Sequence, residues 1–231
     1  MRAIGKLSIL PVVSFLLIAA SATAWADSIV RSTTDFEQSG SGFGTQLYIL
    51  QLQNSPNESG SVAWDGTKDV TVGDIKNKTQ TYSLNTLASN GITSESSLGL
   101  IYNLSQTSKA TGILTGLTLT LYDGSGNPVG GATCAASSTT GCPFSFTGTG
   151  GGTGSSGFLF LLSGNSLDKY FGDLSLYGEY RIGLSATITG SDDGIDSFYL
   201  VNLNPVPEPV SAVLFGSGLL GLGSYVKKFK K

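Results

Sequence analysis

The sequence predicts an all-β body, an antiparallel β-sandwich with a β-barrel as the alternative, and three observations carry that expectation. Two runs alternate apolar and polar residues: Leu117, Leu119 and Leu121 against Thr118, Thr120 and Tyr122, and Tyr180, Ile182, Leu184, Ala186 and Ile188 against Arg181, Gly183, Ser185, Thr187 and Thr189. A period of two puts one set of side chains on a core face and the other in solvent. Turn formers cluster between the runs, as in Asp123-Gly124-Ser125-Gly126-Asn127-Pro128, which fits a hairpin. Helical periodicity is scarce while Gly, Ser and Thr are abundant, the composition of many short strands joined by turns.

Along the chain the first element is not part of that body. Arg2 and Lys6 precede an apolar stretch from Leu7 to Ala20, and Ala24 and Ala26 place small residues at the −3 and −1 positions of a leader-peptidase site. This is the pattern of a secretory signal peptide over residues 1–26, cleaved before Asp27 by signal peptidase after passage through the general secretion machinery. The exported domain then spans residues 27–204, with 7 Lys or Arg against 15 Asp or Glu, a net of −8. Beyond the two alternating runs, strands are expected at Gln46–Gln53, Asp69–Val72, Thr81–Leu87, Leu98–Leu104, Gly157–Leu162 and Ser197–Leu203. Cys134 and Cys142, the two cysteines of an exported chain, are expected to form a disulfide that holds a loop. Gly148–Gly157 has the composition of a surface loop. A short helix is expected after Ser166, which can cap it, with Leu167, Tyr170, Phe171 and Leu174 on one face.

The last element is again distinct. Val210–Val226 carries no charge, follows Pro205-Val206-Pro207-Glu208-Pro209 and precedes Lys227-Lys228-Phe229-Lys230-Lys231. As a helix it would span about 25 Å at 1.5 Å per residue, enough for one transmembrane crossing with snorkelling lysines. The basic stop signal of Lys227, Lys228, Lys230 and Lys231 keeps that end in the cytoplasm and the body outside. The motif Pro207-Glu208-Pro209, the Gly-rich apolar span and the terminal basic cluster together resemble the PEP-CTERM sorting signal. The resemblance covers residues 205–231 alone. It implies processing by exosortase, a membrane-embedded cysteine transpeptidase of Gram-negative bacteria that make exopolysaccharide. Two prolines around Glu208 hold the backbone extended and short of amide donors, so an enzyme at the membrane face can reach it.

What the body does is less legible. The chain has no His, which removes Ser-His-Asp catalysis, Cys-His catalysis and His-based metal sites. It has 13 Lys or Arg against 16 Asp or Glu and no basic stripe in its interior, so no nucleic-acid partner is expected. Asp192-Asp193-Gly194-Ile195-Asp196 sets three carboxylates around a glycine, an oxygen cluster of the kind that holds calcium when backbone carbonyls complete the shell. The plainer reading, a solvating acidic turn, is preferred, and no cofactor is expected. Trp64, Tyr82, Tyr102, Tyr122, Tyr177 and Tyr180 would stack on sugar rings if several shared a face. Two carboxylates at a working separation would make a hydrolase, but no motif supports one. The expectation is therefore a non-enzymatic surface or matrix protein, structural or exopolysaccharide-associated. It is transiently membrane-anchored and finally at the cell surface or extracellular. A calcium-dependent or aromatic carbohydrate-binding module is the alternative.

Overall fold

The computed structural model describes residues 27–32, 47–54, 56–104, 111–134, 141–147, 157–173, 175, 178–191 and 194–204. The signal segment, the sorting tail, Asp192 and Asp193, Leu174, Tyr177 and most of the Gly148–Gly157 stretch lie outside them. Among the described residues the strands are β1 (Asp27–Arg31), β2 (Leu47–Leu52), β3 (Asn57–Trp64), β4 (Asp69–Gly73), β5 (Tyr82–Ser83), β6 (Leu98–Asn103), β7 (Thr111–Tyr122), β8 (Pro128–Cys134), β9 (Phe144–Thr147), β10 (Phe158–Ser163), β11 (Arg181–Thr189) and β12 (Asp196–Asn202). Two short helices, α1 (Leu84–Ser89) and α2 (Asp168–Phe171), and a 3₁₀ turn at Glu95–Ser97 complete the body. No helix among the described residues is long and apolar enough to cross a membrane.

The strands hydrogen-bond into one sheet in the order β2-β12-β6-β10-β1-β8-β7-β11-β3-β4, with β5 added to β11 and β9 to β7. A sandwich would separate them into two sheets. Instead the single sheet curls, and the segment after β4 hydrogen-bonds along β2 and the residue after it: Gln53 N–H donates to Asp74 O (3.0 Å), Lys76 N–H to Gln51 O (2.9 Å) and Gln80 N–H to Ile49 O (3.3 Å). The result is a half-barrel. Register shifts at Thr187/Ile188, Phe198/Tyr199 and Leu121/Tyr122 mark where bulged strands bend and twist more strongly, which lets one sheet wrap a core. The pairing is antiparallel except between β1 and β8, where Asp27, Ser28 and Ile29 run parallel to Ala132, Thr133 and Cys134.

Both alternating runs fold as expected. Leu117, Leu119 and Leu121 of β7 and Ile182, Leu184, Ala186 and Ile188 of β11 all face the core. β7 turns through Asp123–Asn127 into β8 as a hairpin. β12 is buried on both faces: Phe198 and Leu200 enter the main core, while Tyr199 and Val201 pack with Ile101 on the opposite face.

Two expectations change. Thr81–Leu87 is not one strand; after Tyr82 and Ser83 the chain becomes α1, because the Ser83 hydroxyl accepts the Thr86 amide (3.2 Å) and Leu84 and Leu87, three apart, bury the same face. Ser166 does not cap the next helix, since its hydroxyl bonds to the Asp27 carboxylate instead, and α2 starts from Leu167. Leu167 and Phe171 are buried as expected.

Cys134 and Cys142 form the expected disulfide, with Cα atoms 5.6 Å apart. It joins the end of β8 to the approach of β9 inside the core. On the loop-entropy account a bridge over so short a loop contributes about 2–3 kcal/mol. Replacing both cysteines by Ser should therefore lower the melting temperature by several degrees, read by circular dichroism, and leave the wild type sensitive to reductant to the same extent. An unchanged melting temperature would mean that the loop contributes nothing to the folded state.

Candidate functional site

An open cleft of about 590 Å³ lies at one end of the half-barrel, lined by Trp64, Gly66, Asp123, Gly124, Ser125, Gly178, Glu179 and Tyr180. Its wall is made by two turns in backbone contact. Gly66 (φ 95°) and Gly126 (φ 83°) both adopt left-handed conformations, and a Cβ on Gly66 would come within 2.8 Å of the Ser125 backbone. Each turn is wound around an aspartate. Asp65 Oδ1 accepts from the amides of Thr67 (2.8 Å) and Lys68 (2.8 Å) and from the Thr67 hydroxyl (2.7 Å). Asp123 accepts from the amides of Ser125 (2.9 Å) and Asn127 (2.8 Å) and from the Asn127 side chain (3.1 Å). The Asn127 side chain and amide hold the Asp123 carboxyl below its ordinary range, and the Lys68 and Thr67 donors do the same for Asp65. These donors make Asp123 the centre of its turn.

Two aromatic residues face this cleft. Trp64 closes β3, and the Arg181 guanidinium stacks 4.3 Å from its ring centroid while donating through Nε to the Thr81 hydroxyl (2.8 Å). The buried Trp64 Nε1 has no hydrogen-bond partner. Tyr180 precedes β11 and packs on Tyr170 at 5.4 Å, whose hydroxyl donates to Val129 O (2.9 Å). Aromatic rings beside a polar, backbone-rich wall suit a flat amphipathic ring with hydroxyls. The other aromatic candidates go elsewhere. Tyr102 stacks on Phe198 in the core (4.7 Å, 13°), Tyr82 is half-buried and donates to Tyr48 O (3.0 Å), Tyr122 is half-buried, and Tyr177 is outside the described residues.

The acidic turn is only partly in view. Asp196 is not a surface ligand; it is fully buried as the first residue of β12 and accepts from the Tyr102 hydroxyl (3.0 Å). Beside it lies Glu58 of β3, 1% exposed, a residue that its polar neighbours Asn57 and Ser59 gave no reason to bury. Glu58 Oε1 accepts the Asn54 amide (3.2 Å), while Oε2 has no hydrogen-bond partner. Burial first, and then the charge of Asp196, push the Glu58 carboxyl up to about 8, against the Asn54 amide and the Ser191 hydroxyl, which favour its ionised form. Burial and Asp196 also raise Tyr102 well above the ordinary phenol range. Both carboxyl groups are buried among the described residues. Among the described residues no set of three or more His, Cys, Asp or Glu is arranged to hold a metal ion. Ala24, Ala26, Pro207, Glu208, Pro209 and the terminal lysines lie outside those residues.

Comparison with protein-family models, with curated proteins and with solved structures finds no match to this chain.

Proposed function

We propose that this chain is an exported surface or extracellular-matrix protein, delivered by its N-terminal signal and processed through its tail by an exosortase. The observation that carries the reading is the co-occurrence of a signal peptide, Pro207-Glu208-Pro209, an uncharged span and a terminal basic cluster in one sequence. The body then acts as a structural or exopolysaccharide-associated module.

The test is replacement of Pro207-Glu208-Pro209 by three alanines in a host with a matching exosortase. Insertion depends on Val210–Val226 and orientation on the lysines, so a permanent anchor would be indifferent to the change. Processing predicts that the variant accumulates as an uncut membrane form while the wild type moves to the envelope surface or medium. Equal membrane fractions would refute it.

A second reading, carbohydrate binding, is favoured by the Trp64 and Tyr180 cleft. A glycan array run with and without chelator identifies a ligand and tells whether calcium takes part. Trp64→Ala should then weaken binding about tenfold, the equivalent of about 1.4 kcal/mol for one lost ring contact. A glycan bound equally well by that variant would place the site elsewhere.

A further inference from the structure

A second buried carboxylate cluster sits where the mature chain is expected to begin. Asp27 is 5% exposed and Glu95, on the 3₁₀ turn, 1% exposed. Glu95 and Asp168 cap each other's segments: Leu167 N–H donates to Glu95 Oε2 (3.0 Å), and Glu95 N–H donates to Asp168 Oδ1 (2.8 Å). Asp27 Oδ2 accepts the Ser166 amide (3.1 Å) and hydroxyl, and a side chain on Gly164 would collide with the Asp27 carboxylate. Two buried carboxylates, from β1 and the 3₁₀ turn, thus lie beside the exposed Asp168 of α2. Glu95 Oε1 is buried without a hydrogen-bond partner. Burial foremost, then the charges of Asp27 and Asp168, push Glu95 up to about 7, against the Leu167 amide.

In the precursor the nitrogen of Asp27 is a neutral amide. Hydrolysis of the Ala26–Asp27 bond gives Ala26 a carboxylate and Asp27 an amine, which takes up a proton at neutral pH. That nitrogen cannot lie more than about 4 Å from its own side-chain carboxylate, whose charge acts on Glu95. We propose that the α-ammonium group created at Asp27 by signal-peptide removal is the counter-ion of the buried Asp27–Glu95 pair, with the exposed Asp168 at its edge, so that cleavage inserts a new N-terminus beside buried carboxylates and completes the fold. The ammonium holds Glu95 ionised, whereas in the precursor the cluster keeps a proton. The body is therefore more stable after leader removal than before it. This inference rests on the export reading, through cleavage after Ala26.

The test uses the full chain, exported with its own leader from a Gram-negative host. Intact mass and the N-terminal peptide are read first; a start other than Asp27 overturns the cleavage premise and the latch with it, before any labelling. With Asp27 as the start, 2-pyridinecarboxaldehyde, which modifies α-amines, should label the native protein at least tenfold more slowly than the same protein in urea. Glu95→Gln should bring native labelling to within about twofold of the unfolded rate. A glycine inserted between Ala26 and Asp27, which moves the amine by about 3.5 Å, should do the same and carries the test if Glu95→Gln does not fold. Native labelling as fast as in urea, or slow labelling indifferent to both changes, would overturn the latch while leaving the export reading intact.

Discussion

Replacing Glu58 by Gln should flatten the dependence of stability on pH between about 4.5 and 8. Glu58 has a folded-state pKa of about 8 against an ordinary value of 4.5, so the folded state binds its proton more tightly than the unfolded state. Its contribution is fully present below pH 4.5 and is lost as pH rises towards 8. A tenfold difference in proton affinity between the two states is worth about 1.4 kcal/mol, so the wild type should lose about 3–5 kcal/mol across that window from this residue. Asp196 and Asp74 are the carboxylates that face it, and both oppose its ionisation. Gln keeps the acceptor for the Asn54 amide and stays neutral at every pH. Urea unfolding at pH 5 and pH 8 measures the difference. A wild type that gains stability over this range, or a Gln variant with the full wild-type slope, would contradict the buried-pair account.

Tyr102→Ala should cost about 4–5 kcal/mol and leave a body of ordinary stability largely unfolded on warming. The ring sits among Phe146 (5.2 Å), Phe158 (6.4 Å) and Phe198 (4.7 Å), so truncation opens a cavity bounded by three other rings. It also removes the hydroxyl that donates to Asp196, leaving a buried carboxylate with one donor fewer. Tyr102→Phe isolates the second effect and should cost about 1–3 kcal/mol. Thermal melting of the two variants separates packing from hydrogen bonding. Equal losses would mean that the ring's contacts add nothing beyond the hydroxyl.

These two residues show where sequence reasoning succeeds and where it stops. Period two made the core faces of β7 and β11 readable, because burial on one face of a strand is written locally. Leu98–Leu104 and Ser197–Leu203 were readable as strands, but not the stacking of Tyr102 on Phe198, which depends on β6 pairing with β12 across the chain. The single curled sheet could not be read either. Whether strands join one sheet or two is decided by partners, and the parallel neighbours β1 and β8 are separated by roughly a hundred residues of chain. β3 was missed because Asn57-Glu58-Ser59-Gly60-Ser61 looks like a polar loop. Its pairing with β11 and β4 makes it a strand, and the Gly190 and Ser191 amides donate to Pro56 O just ahead of it. The cleft follows the same logic: Trp64 and Tyr180 are ordinary aromatics in sequence and meet only because Arg181, stacked on Trp64, begins the strand that Tyr180 precedes. The disulfide was readable because two cysteines leave one pairing.

The most direct measurement of the account is the intact mass of the protein recovered from a host that carries a matching exosortase, with peptide mapping of both ends. Export and sorting predict a chain that begins at Asp27, lacks Lys227–Lys231 and appears at the envelope surface or in the medium. A protein that remains in the membrane with its C-terminus intact at Lys231 would contradict the sorting reading and leave a simple anchored surface protein.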